Sequence, residues 1–469
     1  MTNLKQIART IFEQALADCS IERSFDRMLH TTVTAGETRL VLNGDDVLAL
    51  NRLRRVRVVA AGKAAAAMLN ALLSRLPLAP SCDLEGVLIA GERPQNLPET
   101  IRYFAGGHPL PNEASFAGAS ATLSMLHALD NSSPEDTLCV FLISGGASAM
   151  MELPLDPTIS LDDTVAFHQA LVHSGATIVE MNCVRKHFSA VKGGRLALAA
   201  GNAAKISLLV SDVPSAHLDA LASGPTLADP TTVAQCHEIL ARYGMLERFP
   251  ASVRRFFLCR DLPETPKPGE LISPSWKLLD EAELARAAVN HAASLGFHTV
   301  VDNTCDDWTY DAAADYLLER LRQLRRNYPR VCLISSGEVS VTLPHPSAAN
   351  AATRAVGGRN QHFALYLATR LRPDDAPIAV LSAGSDGIDG NSDATGAIVD
   401  EHTLDENPPR DTVPNSEMIL PLSQRESAQR ALEKFDSSTW LTGVGATVVT
   451  GPTGHNLRDL RILLADSGS

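Results

Sequence analysis

Residues 56–68 read VRVVAAGKAAAAM, and the fold follows from this stretch. Val56, Val58, Val59, Ala60 and Ala61 make a short, nearly continuous apolar run, the pattern of a strand buried on both faces. Gly62 and Lys63 end it, and the alanines up to Met68 are strong helix formers. Strand, glycine turn and helix in that order are half of a βαβ unit. The same pattern recurs outward along the chain. Gly86–Ala90, Leu138–Ile143 (LCVFLI) and Ile206–Val210 (ISLLV) are further apolar runs, each followed by a glycine or a small polar cluster. A largely parallel sheet with helices on both faces is expected.

Asp261–Ser275 (DLPETPKPGELISPS) is rich in proline and polar residues and has the composition of a linker. A second series follows it, with a helix over Asp280–Ser294 and strands at Phe297–Val301, Val331–Ile334, Ile378–Ser382 and Ala446–Thr450. The expected architecture is therefore α/β, with two Rossmann-like domains at residues 1–260 and 276–469 and a linker at 261–275. The polar, proline-bearing stretch Leu404–Pro421 reads as a surface loop or a lid. At the start of the chain, Ile7, Ile11, Phe12, Ala15 and Leu16 share one helical face, and Glu13 and Gln14 break any signal-like apolar core.

A formal net charge of −13 argues against a nucleic-acid binder, which needs a basic surface. It leaves room for an anionic small molecule in a local basic cleft. No apolar stretch is long enough to span a bilayer, so no membrane partner is expected. The 8 cysteines form no C-x-x-C pair, which disfavours a zinc ribbon or redox motif and fits a reducing, cytoplasmic setting.

Ligands of open α/β sheets bind beyond the carboxyl ends of strands, and unusual residues gather at such positions. Lys63 follows the first strand and precedes a helix start, where a cation is either solvated or set against an anion. Ser144-Gly145-Gly146-Ala147-Ser148 follows LCVFLI. Its glycines let backbone N–H groups approach a phosphate or carboxylate, and it lacks the Walker A and G-x-S-x-G patterns. Asn182–Arg195 (NCVRKHFSAVKGGR) carries Arg185, Lys186, Lys192 and Arg195, either an anion clamp or a solvated helix face, the second reading suiting Lys192 best. Asp212 follows ISLLV and suits a magnesium ligand, a proton acceptor or an Asx turn. Ser382–Asp393 (SAGSDGIDGNSD) holds Asp386, Asp389 and Asp393, which repel one another unless solvated or bound to a cation such as magnesium carrying nucleotide phosphates. Gly357-Gly358-Arg359-Asn360-Gln361 places a guanidinium beside a backbone open to an anion.

Taken in order, AAGKAAAAM (60–68), GGHPLPNEAS (106–115), LISGGASAMMELP (142–154), VRKHFSAVKGGRLA (184–197), SDVPSAHLDALASGPT (211–226), GGRNQ (357–361), SAGSDGIDGNSDATGA (382–397) and TGPTGHNLRDLRI (450–462) make the chain resemble the glycerate 2-kinase family. The C-terminal half of that family is called the MOFRL domain, and many members carry an older hydroxypyruvate reductase label. The resemblance implies two α/β domains with the active site in the cleft between them. It implies transfer of phosphate from ATP to D-glycerate with a divalent cation, giving 2-phosphoglycerate, and it implies that Lys63 and Arg359 matter most for catalysis. The chain departs from the family at His362, where glutamate is usual, at Ser215-Ala216-His217 after SDVP, at His455, where threonine is usual, and across Glu406–Trp440.

The expected mechanism is in-line transfer governed by positioning and charge. Lys63 and Arg359 neutralise phosphate and carboxylate, Gly145 and Gly146 amides cradle an anion, the aspartates at 386, 389 and 393 hold Mg2+, and Asp212 orients or deprotonates the acceptor hydroxyl. The expected partners are the hydroxy acid and the nucleotide, and a homo-oligomer is compatible with the sequence. Two rivals exist. A nicotinamide-dependent hydroxypyruvate reductase would need a dinucleotide loop, but Gly443-Val444-Gly445 lacks a third glycine and precedes a strand. A non-catalytic sensor of a phosphorylated metabolite would need no carboxylate cluster.

Overall fold

The computed structural model describes residues 3–34, 36–129, 133–211, 215–259, 261–343, 355–375, 377–405 and 423–467. The chain forms two compact units, Ile21–Asp280 and Met1–Ser20 with Glu281–Ser469.

The first unit opens with helix Ile21–Met28 and a small antiparallel sheet, β1 (Leu29–Thr34), β2 (Glu37–Leu42) and β3 (Asp45–Ala49). Asn43 and Gly44, both at positive φ, close the β2–β3 hairpin with the residue pair that such turns favour. The main sheet contains β4 (Arg55–Ala61), β5 (Asp83–Ala90), β6 (Ile101–Ala105), β7 (Thr137–Ser144), β8 (Ala204–Val210) and β9 (Ser275–Leu279). All its pairings are parallel, in the order β6-β5-β4-β7-β8-β9. β7 is buried at every residue and β4 at all but the first, as their apolar runs require. The chain winds outward in opposite directions from the β4–β7 pair. Beside the sheet, Phe167, Phe188, Phe249 and Phe257 knit a helical layer, with the Phe167 and Phe188 ring centroids 4.2 Å apart.

The second unit is also α/β, but its sheet is mixed. It contains β10 (His298–Val301), β11 (Arg330–Ser336), β12 (Ile378–Gly384), β13 (Gly396–Asp400), β14 (Thr447–Val448) and β15 (Asp459–Asp466), in the order β10-β11-β15-β12-β13-β14. Only β10–β11 is parallel. The C-terminal strand β15 inserts antiparallel between β11 and β12, so the Rossmann-like parallel series expected here is replaced.

The domain boundaries also differ from the expected ones. Helix Leu4–Asp18 buries Ala8, Ile11, Phe12 and Ala15 and packs on β12, β15 and helix Glu281–Ser294 of the second unit. Asp18 Oδ2 lies 2.7 Å from His291 Nε2, and Lys5 pairs with Asp400 at 3.0 Å. An amphipathic helix goes where its apolar face is covered. The stretch 261–275 does not join the units. Thr265 Oγ1 donates to the buried Asp229 at 2.9 Å, and β9 completes the first sheet beside β8. Among the described residues, no helix is long and apolar enough to cross a membrane. Most of Leu404–Pro421 lies outside the described residues.

Candidate active site

Strand order reverses between β4 and β7, the place where open α/β sheets bind ligands. Two turns interlock there. The Lys63 N–H donates to the Gly145 carbonyl at 2.9 Å, and the Ala64 N–H donates to Ser144 Oγ at 3.0 Å. Gly62 has φ +117°, and a Cβ on it would stand 2.4 Å from Ser144 Oγ, so no other residue fits. Gly146, at φ +83°, has Lys63 Cγ 3.2 Å and His108 Cδ2 3.1 Å from where its Cβ would stand. The lysine side chain therefore runs beside this glycine. Lys63 is exposed and has no carboxylate partner among the described residues. Burial, and then the Lys63 charge, hold the His108 imidazole below its ordinary pKa.

His108, Gly146, Ser148, His168 and Arg185 line a cavity of about 230 Å³. Ser148 Oγ lies 3.1 Å from Ser223 Oγ, which donates to Asn182 Oδ1 at 2.9 Å. Arg185 Nη1 reaches the same oxygen at 3.4 Å, and its buried Nε has no hydrogen-bond partner. Behind this wall lies the buried Glu152. Its Oε2 accepts from Lys192 Nζ at 2.5 Å and lies 2.9 Å from His168 Nε2. Burial opposes charge on Glu152, but Lys192 and His168 outweigh it and hold the carboxyl at about 2.

The fold thus gathers Lys63, Ser144, Gly145, Gly146, Ser148 and Arg185. It does not bring in Lys186, whose Nζ is buried against Asp219 at 2.8 Å and Asp229 at 3.2 Å. Residues 182–188 belong to helix Ile178–Phe188 and not to a strand end. Lys192, read as solvated, is 1% exposed. Asp212 and the side chain of His217 lie outside the described residues.

In the second unit, Gly357 and Gly358 lead into helix Arg359–Arg370, and its N-terminus already holds an anion. Asp389 Oδ1 accepts from the Asn360 N–H at 3.0 Å, and Oδ2 accepts from the Gln361 N–H at 2.8 Å and from Gln361 Nε2 at 3.0 Å. These satisfy the orphan amides of the first turn. The two glycine loops interlock, because a Cβ on Gly358 would stand 2.3 Å from the Asp389 carboxyl carbon and one on Gly390 2.1 Å from the Gly357 carbonyl. Asn360 is structural as well, since its Oδ1 accepts from Ser382 Oγ at 2.7 Å. The expected three-aspartate metal cluster does not form. The helix N-terminus takes Asp389, and burial pushes its carboxyl up to about 6 against the N–H donors. Asp393 is exposed away from the cavity lining, and Asp386 alone lines the cavity without capping the helix. Magnesium with a nucleotide needs only one or two carboxylates plus phosphate oxygens, which Asp386 fits.

That cavity measures about 680 Å³, and its walls include Glu338, Arg359, His362, Asp386 and Phe435. Arg359 clasps Asp459 through Nε at 2.6 Å and Nη2 at 3.0 Å, and Nη2 also donates to Glu338 at 2.7 Å. It is thus already ion-paired. Burial, and then Asp459, raise the Glu338 pKa in spite of Arg359. His362 packs edge-on to Tyr310 at 4.5 Å and stacks on Phe435 at 5.3 Å. Burial pushes the His362 imidazole down to about 4. Sequence reading missed Glu338, although Ser335-Ser336-Gly337-Glu338 follows the apolar run Val331–Ile334. It also missed His108, Glu152 and Asp459, which stand out only once the chain is folded.

Comparison with known proteins bears on the family of the chain. Residues 7–258 match the domain of unknown function DUF4147, and residues 331–459 match the MOFRL family. The chain is 32% identical to a glycerate 2-kinase of Pyrococcus horikoshii, covering 88% of each chain. It is 33% identical to a D-glycerate 2-kinase of Thermotoga maritima, over 87% of this chain and 90% of that one. A relative of Agrobacterium vitis, 36% identical over 87% of each chain, carries a provisional hydroxypyruvate reductase label. The crystal structure of the Thermotoga maritima glycerate kinase superposes with a TM-score of 0.77 at 29% identity, covering 98% of this chain and 99% of that one. With both domain families matched in order and these identities over most of the length, the chain belongs to the glycerate 2-kinase family built from a DUF4147 and a MOFRL domain.

Proposed function

We propose that this protein is an ATP-dependent kinase that transfers the γ-phosphoryl group to the 2-hydroxyl of D-glycerate, giving 2-phosphoglycerate and ADP. The observation that carries this reading is the β4–β7 switch point, where Lys63 lies beside Gly146 with no carboxylate partner among the described residues. A cation so placed stabilises a transferring phosphoryl group without first having to leave a partner. In this reading Lys63 neutralises phosphoryl oxygens, the amides of Gly145 and Gly146 face an anion, and Ser148 and Arg185 bind the hydroxy acid. Arg359, oriented by Asp459 and Glu338, supplies the second cation. Asp386 holds magnesium, which when bound neutralises nucleotide phosphates. Asp212 orients the acceptor hydroxyl. The cavity beside Arg359 has a volume suited to a nucleotide, and the free cysteines suit a reducing, cytoplasmic setting.

The test is ADP release by the purified protein with ATP, magnesium and D-glycerate, with the phosphate position read by NMR and Lys63→Ala as control. Turnover lost in the variant supports the assignment, and no ADP at any magnesium concentration sinks it. The strand order of the first unit, which dinucleotide-binding sheets share, favours a reductase as the second reading. However, the turn after β4 has one glycine, and Gly443 ends a helix while Gly445 precedes β14. NADH binding followed by oxidation with hydroxypyruvate would reinstate it.

A further inference from the structure

Away from both glycine loops, the helical layer of the first unit encloses a group that the kinase reaction does not use. Cys183 and His187 lie one turn apart on helix Ile178–Phe188, so their side chains share a face. Cys236 comes from helix Val233–Arg242, which packs against it. The two sulfurs and a ring nitrogen of His187 all lie within 4.8 Å of one another, and no other such trio of His, Cys, Asp or Glu occurs among the described residues. All three residues are buried, and both cysteines are free thiols.

The histidine is set up as a ligand. Its Nδ1 lies 2.8 Å from the Cys183 carbonyl, a bond that requires the proton on Nδ1. Nε2 is buried and makes no hydrogen bond, its nearest carboxylate being Glu264, whose Oε2 lies 3.6 Å away. A histidine whose other nitrogen donates to a carbonyl is in the tautomer that metal ligands adopt. Zinc–sulfur bonds of about 2.3 Å and zinc–nitrogen bonds of about 2.0 Å put ligand atoms roughly 3.5–3.8 Å apart in a tetrahedron. The observed spacing needs only a modest contraction to reach that.

We propose that Cys183, His187 and Cys236 form a binding site for a thiophilic divalent cation, zinc in the first instance, that ties helix Ile178–Phe188 to helix Val233–Arg242. Both thiol protons pass to solvent on binding, and water completes the tetrahedron. The first of these helices also carries Asn182 and Arg185, so the ion stiffens the wall of the smaller cavity.

The probe is cobalt(II), titrated into the reduced, chelator-stripped full-length protein. The expected result is a thiolate-to-cobalt charge-transfer band that saturates at one ion per chain and is bleached by zinc. Cys183→Ser and Cys236→Ser should each abolish the band, and zinc should raise the thermal midpoint of the parent protein only. If a cysteine variant does not fold, His187→Gln, which keeps both thiols, should still lose the one-to-one stoichiometry. A reduced, folded protein without the band, or a band that survives both cysteine substitutions, overturns the proposal. The readout involves neither ATP nor glycerate, so its failure leaves the kinase assignment untouched.

Discussion

The glycine turns at β4–β7 and the glycine loops around Arg359 look alike in sequence, since each sets glycines beside a single cation. Their surroundings differ. At β4–β7 the glycines bring two turns together, and Lys63 has no carboxylate partner among the described residues. Around Arg359 the glycines bring two loops together, the helix N-terminus is filled by Asp389, and the guanidinium is clasped by Asp459 and Glu338. A ligand anion can reach Lys63 directly. At Arg359 it must share the cation with two carboxylates, so the rigidity of that site comes with a weaker field for an incoming charge.

The sharpest test of this contrast is a pair of substitutions. Lys63→Ala should lower kcat by about 10²–10³-fold, the scale for removing one transition-state charge partner. Its unfolding midpoint in urea should not move, because no described contact is lost. Arg359→Ala should lower kcat comparably and also cost up to about 3 kcal/mol of stability, because Asp459, 2% exposed, is left without its partner. Equal stability of the two variants would break the comparison.

Glu152 tests whether the first unit hides its own ion pair behind the open site. Glu152→Gln leaves Lys192 buried without a counter-charge, and a loss of about 3 kcal/mol is expected. The sign of the pH effect follows from the carboxyl, which sits near 2 in the fold against an ordinary 4.5. Its contribution is present above about pH 4.5 and is lost as pH falls from there towards 2. Urea midpoints followed from pH 5 down to 3 should fall more steeply in the parent protein than in the variant.

A smaller effect is expected at Asp389. Asp389→Asn keeps the shape, but it removes the charge at the helix N-terminus and turns an amide NH2 towards N–H donors, at a cost of about 1–2 kcal/mol. An unchanged thermal midpoint would mean that the interlock of Gly358 and Gly390 holds the loop without the cap.

Both regions were partly legible beforehand, for different reasons. The run Val56–Ala61 and the glycines after it are local signals, and local signals fixed the parallel sheet and its switch point. Pairing between distant segments is not local, so the insertion of β15 between β11 and β12 could not be read. The apolar face of helix Leu4–Asp18 was visible, but the surface that covers it was not. Charge runs hide burial, because Lys186 reads like an anion clamp and Lys192 like a solvated residue until Asp229 and Glu152 are placed beside them. Cys183 and Cys236 lie too far apart in the chain for any spacing rule to join them. Asn43-Gly44 is the opposite case, a plain hairpin signal that the reading passed over.

The least disruptive test concerns His362, where the family usually has glutamate. The imidazole is 3% exposed, its Nε2 is unpartnered, and aromatic rings flank it. With its pKa pushed down to about 4 it is neutral around neutral pH. It therefore acts as a flat wall of the cavity and not as a charge or a proton carrier. His362→Phe keeps the stacking and removes a buried nitrogen without a partner, so stability should change by less than about 1 kcal/mol. Turnover should stay within about tenfold of the parent, less than 1.4 kcal/mol in the barrier. The decisive readout is the pH profile of kcat/KM between pH 5 and 8. If the parent shows an inflection there that vanishes in His362→Phe, the imidazole titrates during turnover, and the second region then has an ionising group facing its cavity that makes it more like the first.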